Sequence, residues 1–286
     1  MRLPNYWAKE TFTGTDGRGR QQSFVAWGWS FNNMDEARQE ARNRASRIFN
    51  YMVQGVRPDR YPYLETPLRE EVVRSLDAGK GQVGVITRNR YGALVMNAAS
   101  VLFADIDFPE TKSSGGGGGL KKLFGKKSDA PVMDAATMTL NGVKNWAVAN
   151  PGHSFRIYRT KAGLRLLFTD KLYDPKSDET TQLLLALGSD PMYRLLTNKQ
   201  ESFRARLTPK PWRCGCPTPP GRFPFEDAGA EQRYRQWQED YDERIKPYKT
   251  CELIDLVGRD AAIDEIAMLV SVHDNYTSRG GEAGLA

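Results

Sequence analysis

At 286 residues, with 41 Lys/Arg against 35 Asp/Glu and 40% apolar residues, the chain reads as a mildly basic globular protein long enough to bury a sizeable core. The longest mostly apolar stretch, Ile266 to Val272, is far below the roughly 18 residues that span a bilayer, and nothing near Met1 reads as a secretory signal, so no membrane partner is expected. Three cysteines make no disulfide framework, which leaves a reducing cytoplasm as the default, and two histidines exclude a three-histidine zinc centre.

In chain order, QSFVAWGWS (22–30) alternates Phe24, Ala26 and Gly28 with Val25, Trp27 and Trp29, which predicts a strand buried on both faces. Asn33 is placed to cap a helix in which Met34, Ala37, Ala41, Ala45, Ile48, Phe49 and Met52 recur at helical spacing up to Gly55. Its arginines, Arg38, Arg42, Arg44 and Arg47, lie among acids and read as a solvated face. Residues 83–90 and 93–97 predict a hairpin about Tyr91-Gly92. Residues 100–108, SVLFADIDF, form a strand that is apolar except for two aspartates. Residues 109–131 carry the glycine run Gly115 to Gly119, with Lys121, Lys122, Lys126 and Lys127 around Leu123-Phe124; such a segment gains too little burial to offset its ordering entropy and predicts a flexible insertion.

After it, Met133, Ala136, Leu140, Val143 and Ala147 trace a helix that ends at Asn150-Pro151-Gly152. Strands over 155–159 and 164–170 enclose Lys161-Ala162-Gly163. A helix from Ser177 closes at Gly188, a shorter one spans 191–198, and Phe203, Ala205 and Leu207 mark a strand. Strand, helix, strand, strand, helix, strand is the ferredoxin-like, RRM-like βαββαβ unit of an α+β protein. Its first and third strands are neighbours, which sets Asp105 and Asp107 beside the strand of Arg165. The expected organisation is a strand-helix extension over 1–82, this core over 83–208, and a cover over 209–286. The cover holds a Pro/Cys-rich loop, a helix over 228–245, a strand over 251–257 and a helix over 260–272.

Asp105-Ile106-Asp107 carries the sharpest chemical signal. Period-two alternation puts both carboxylates on one sheet face, where Mg²⁺ or Mn²⁺ can be shared between them. Arg159, Lys161 and Arg165 gather about the next hairpin, where Gly163 permits close backbone approach, and Arg204 and Arg206 extend the basic set. From Phe155 to Arg213, twelve Lys/Arg oppose six acids, a local excess that favours a phosphate-bearing partner such as a nucleotide or nucleic acid. Tyr158 and Trp212 are candidates for base stacking. Cys214 and Cys216 are spaced more tightly than a zinc knuckle's C-x₂₋₄-C, so a zinc site built from them with Cys251 and a histidine is not expected. His273-Asp274 resembles a hydrolase dyad without the further histidines such an enzyme needs.

These motifs, in this order, resemble the archaeo-eukaryotic primase superfamily, whose members carry D-x-D on a strand, then a small-residue hairpin ending in histidine, then a third acid on a later strand. VLFADIDF is similar to the first motif and RTKAGLRLLF to the second, in degenerate form, because Arg165 stands at the histidine position. The resemblance covers roughly residues 83–208. It implies a nucleotidyltransferase domain in which Asp105 and Asp107 are the catalytic, metal-holding pair and the hairpin touches nucleotide phosphates. Glu252 and Asp255, in CELIDLVG, are the candidates for the third acid. Two rival readings are an RRM-like nucleic-acid-binding module, with bases stacked on Phe103 and Phe168, and an interaction domain whose acids are structural.

Replacing residues 110–131 by a short Gly/Ser linker should leave the thermal midpoint nearly unchanged. A large drop in calorimetry would show that Leu123 and Phe124 dock on the body.

Overall fold

The computed structural model describes residues 3–55, 67–79, 81–109, 134–278 and 284–286. The segment read as an insertion, except for residue 109, lies outside the described residues. Strands β1 (Tyr6–Thr15) and β2 (Gln21–Ser30) form a hairpin followed by α1 (Met34–Val53). Next come β3 (Glu71–Ala78), β4 (Gly81–Arg88), β5 (Leu94–Ala98) and β6 (Phe103–Asp107). Helix α2 (Ala135–Ala149) leads into β7 (Phe155–Thr160) and β8 (Gly163–Phe168), and α3 (Asp178–Ala186) and α4 (Pro191–Gln200) lead into β9 (Phe203–Arg206). A 3-10 turn (Pro211–Cys214), α5 (Ala228–Arg244), β10 (Cys251–Val257) and α6 (Asp264–Thr277) complete the order. The fold is α+β with antiparallel sheets, and among the described residues no helix is long and apolar enough to cross a membrane.

Local chemistry accounts for most boundaries. Asn33, Asp134, Ser177, Asp190 and Asp227 each accept a backbone N–H from the first turn of the helix they precede, which satisfies a donor that has no partner within the helix. In α1 three residues facing the hairpin are small, Ala37, Ala41 and Ala45, all fully buried, while Phe49 packs against Phe12 and Phe24. The helix approaches so closely that a Cβ on Gly28 would fall 2.1 Å from the Ala41 nitrogen. At the tip of the β4–β5 hairpin, Gly92 has φ +86, and an added Cβ there would meet the Trp237 ring at 2.2 Å. Glycine is required at Gly92 for both reasons.

Two four-stranded sheets share one core. Their orders are β10-β7-β8-β6 and β3-β4-β5-β9, and Leu76, Ile86 and Met96 from one pack in the same cluster as Phe103, Phe155, Leu166 and Phe168 from the other, with Leu269 of α6. A smaller cluster of Tyr234, Trp237 and Tyr241 on α5 closes over Cys216.

The expected neighbours are present: β6 pairs with β8 and β8 with β7. The last strand of the expected unit departs from it, because β9 pairs with β5. The free edge of β6 is already satisfied, since the Tyr193 hydroxyl donates to the Phe103 carbonyl at 2.9 Å and the Ser189 hydroxyl to the Asp105 carbonyl at 3.0 Å. The start of α4 thus occupies the edge that β9 was expected to fill, and the wholly buried β5 offers an alternative edge. Two further differences concern strands. β2 is not buried on both faces: it alternates, with Phe24, Ala26 and Gly28 toward α1 and Val25 half exposed on the other side. β1 and β3 were not anticipated, because β1 mixes threonines and charges and β3 is an edge strand that leaves Val72 and Val73 exposed.

Candidate functional site

The site begins with a cross-strand pair. Asp105 on β6 stands directly opposite Arg165 on β8, and Asp107 opposite Gly163. The Arg165 guanidinium donates to the Asp105 carboxylate from Nε at 2.9 Å and from Nη2 at 3.4 Å. It also donates from Nη1 to the backbone carbonyl of Arg206 at 2.9 Å, which ties β8 to the end of β9 in the other sheet. Arg165 is 2% exposed, so in this arrangement its charge is committed to Asp105. Beside the pair, a Cβ on Gly163 would fall 2.1 Å from the Ile106 carbonyl oxygen; the close approach that glycine allows is made by β6 itself.

Behind Arg165 lies a buried polar chain. His273 Nε2 sits 3.4 Å from Arg165 Nη1 and 3.8 Å from the Cys251 sulfur, while its Nδ1 lies 3.0 Å from Asp274. The Tyr158 hydroxyl and Arg156 both donate to Asp274 at 2.8 Å. Burial opposes ionisation of Asp274, but the His273 ring and the Tyr158 hydroxyl outweigh it and hold that carboxyl below the usual range. His273 is fully buried, so its ring presents no face to a substrate and packs against Arg165.

In front of the pair the character changes. Asp107 is exposed, and its pKa is raised by partial burial and by the fields of Asp105 and Asp190, against which Lys210 and Arg213 work. Asp190, the cap of α4, is therefore the acid that the fold brings to this pair. Neither Glu252 nor Asp255 fills that place. They lie on β10, three strand spacings from β6 or about 14 Å, where Glu252 faces Lys249 at 3.5 Å and Asp255 pairs with Lys144 at 2.6 Å. The cations are crowded as well. Arg206 is lowered to about 10 by burial, then by repulsion from Arg165 and Arg213. Lys210 is lowered by burial, then by Arg206 and Arg213.

The remaining residues named from sequence scatter around this charged cluster. Arg159 stacks over Phe108, with its guanidinium carbon 4.0 Å from the ring centroid, and Lys161 is exposed at the β7–β8 turn. Arg204 pairs with Glu70 at 2.8 Å in the other sheet. Tyr158, Phe103 and Phe168 are at most 2% exposed and offer no ring face to a base, which removes the stacking expected of them. Trp212 is 51% exposed. Cys251 faces His273, whereas Cys214 and Cys216 lie on or beside the 3-10 turn, each free and buried. Among the described residues no three His, Cys, Asp or Glu side chains are grouped as metal ligands. Two carboxylates still suit Mg²⁺, which is commonly held by one or two carboxylates together with substrate phosphates and water. Asp105 can serve both Arg165 and a cation, because a carboxylate has about four lone-pair sites.

Sequence reasoning missed Asp190, Lys210 and Arg213 as site residues. The available signal was the clustering of Lys210 and Arg213 about the exposed Trp212. The chain matches no family model, no curated protein and no solved structure.

The two aspartates should respond oppositely to neutralisation. Asp105→Asn leaves a buried guanidinium uncompensated and should cost on the order of 3 kcal/mol. Asp107 has a raised pKa, so the folded state holds that proton more tightly than the unfolded chain, and ionisation costs stability as pH rises through the folded value. Asp107→Asn should therefore raise the thermal midpoint slightly at pH 7 without divalent metal, and the gain should fade below about pH 4. Equal losses from both variants in calorimetry would contradict this assignment.

Proposed function

We propose that the cleft between the β6 edge and the 3-10 turn binds the phosphates of a nucleotide or nucleic acid together with a divalent cation, in the manner of a primase-like nucleotidyltransferase domain, active or degenerate. One observation carries the reading: Arg206, Lys210 and Arg213 are gathered beside Asp105 and Asp107, and burial first, with repulsion from neighbouring cations second, lowers the pKa values of Arg206 and Lys210. A phosphate relieves the crowding of the cations, and a divalent cation relieves that of the acids. A metal-bound phosphate group answers both at once. Asp105 and Asp107 would hold the cation, with Asp190 adding negative field.

In nucleotidyl transfer a hydroxyl oxygen bonds to the α-phosphorus while the bond to the pyrophosphate leaving group breaks. Lys210, Arg213 and Arg206 stand where they can neutralise the charge on such phosphates. The ferredoxin-like reading of the core is supported by the β7-β8-β6 adjacency, with β9 displaced to the neighbouring sheet. The RRM-like alternative is disfavoured by the burial of Phe103 and Phe168.

Calorimetric titration with ATP, with and without Mg²⁺, tests the proposal. Lys210→Ala should weaken binding about tenfold or more, the loss of one charge-assisted contact, while Arg38→Ala on α1 should not. Asp107→Asn should remove the Mg²⁺ enhancement and leave metal-free binding intact or slightly tighter. Equal weakening by Lys210→Ala and Arg38→Ala would mean diffuse electrostatics without a site.

A further inference from the structure

Large apolar side chains are expensive to leave in water, and five of the six tryptophans are at least partly buried. Trp212 is the exception, half exposed on the 3-10 turn that leaves β9. Its position is rigid. Pro211 and Cys214 on either side are buried, the Cys216 amide donates to the Pro211 carbonyl at 3.0 Å, and Tyr241 of α5 holds the Pro209 carbonyl at 2.6 Å. Tyr91, from the tip of the β4–β5 hairpin, braces the indole edge-on, with ring centroids 5.3 Å apart at 83°.

The surroundings of the ring are cationic. Lys210 Nζ lies over one face of the indole, 5.5 Å from its centroid, and Arg213 follows one residue later. Both also act on the charge of Asp107, so the ring and the carboxylates share the same two cations. Two basic residues flanking one exposed ring match successive phosphates flanking one base, the arrangement by which proteins hold single strands without reading sequence. An isolated aromatic on a surface carries no such implication; a fixed ring flanked in sequence by two phosphate-suited cations does.

We propose that Trp212, braced by Tyr91, is a stacking platform for a base of single-stranded nucleic acid whose backbone phosphates lie on Lys210 and Arg213. The inference rests on the phosphate-binding reading of the cleft and adds the polymer and its mode of contact. Because stacking uses the face of the ring, the site is tolerant of base identity. Neutralisation of phosphates by Lys210 and Arg213 supplies the salt-dependent part of the affinity, and Trp212 supplies a part that salt does not remove.

Fluorescence anisotropy with a labelled single-stranded oligonucleotide, over a range of salt concentrations, tests this. Trp212→Ala should weaken binding roughly five- to hundredfold with an unchanged salt slope and thermal midpoint, and Trp212→Phe should recover most of the affinity. Lys210→Ala should reduce the salt slope by about one. If Trp212→Ala binds the oligonucleotide like wild type while Lys210→Ala is impaired, the stacking inference fails and the phosphate reading stands. If neither variant is impaired, both fail. If Trp212→Ala weakens ATP–Mg²⁺ binding but not oligonucleotide binding, the platform serves a mononucleotide and the inference is overturned.

Discussion

A guanidinium enclosed between two sheets is costly unless its donors and its charge are answered, since desolvating an ion costs several kcal/mol. Arg165 is in that position, and the fold around it is arranged to meet the requirement. Asp105 supplies the countercharge across the β6–β8 ladder, and the Arg206 carbonyl accepts from the other side. His273 fills the remaining space, positioned in turn by Asp274, Tyr158 and Arg156. One side chain therefore registers β8 against β6, β9 and α6. The edge strands β6 and β9 of the two sheets are thus linked through Arg165 without being paired.

The same constraint sorts the charges. Arg165 consumes much of the capacity of Asp105 and leaves Asp107 to face solvent beside Asp190. Arg206 keeps its carbonyl turned to Arg165, and its guanidinium is held by the Thr208 carbonyl at 3.2 Å, close to Lys210 and Arg213. Buried, paired charge and solvent-facing charge thus share a single strand. Asp105 belongs to both groups, while Asp107, two residues on and with the same facing, belongs to the open side.

Much of this was legible in the sequence wherever the signal was local. The caps Asn33 and Ser177, the 3.6-residue periodicity of α1 and α2, the β4–β5 hairpin and the D-x-D alternation all follow from spacing within a dozen residues. Ile106 confirms that alternation, lying on the opposite face in a groove with Val143, Trp146 and Leu187. What escaped depended on partners far along the chain. β3 is a strand because β4 offers it an edge, and its own exposed valines give no periodic signal. β9 left its expected place because Ser189 and Tyr193 had already satisfied the edge of β6. Asp190 reads locally as a helix cap, and it is one; only the fold adds its field to that of Asp107. Arg165 reads as an exposed hairpin arginine until the second sheet closes over it.

The central claim is that the carboxylates of β6, with Asp190, form the cation-holding end of a phosphate cleft. Titrating the isotope-labelled protein with Mn²⁺ and following backbone amide signals tests it most directly, because paramagnetic broadening reports where the ion sits. The account predicts that broadening centres on residues 105–107 and 189–190 and sharpens in affinity when a nucleoside triphosphate is added. Broadening centred on Glu252 and Asp255 of β10, or spread evenly over surface acids with no response to the nucleotide, would contradict it.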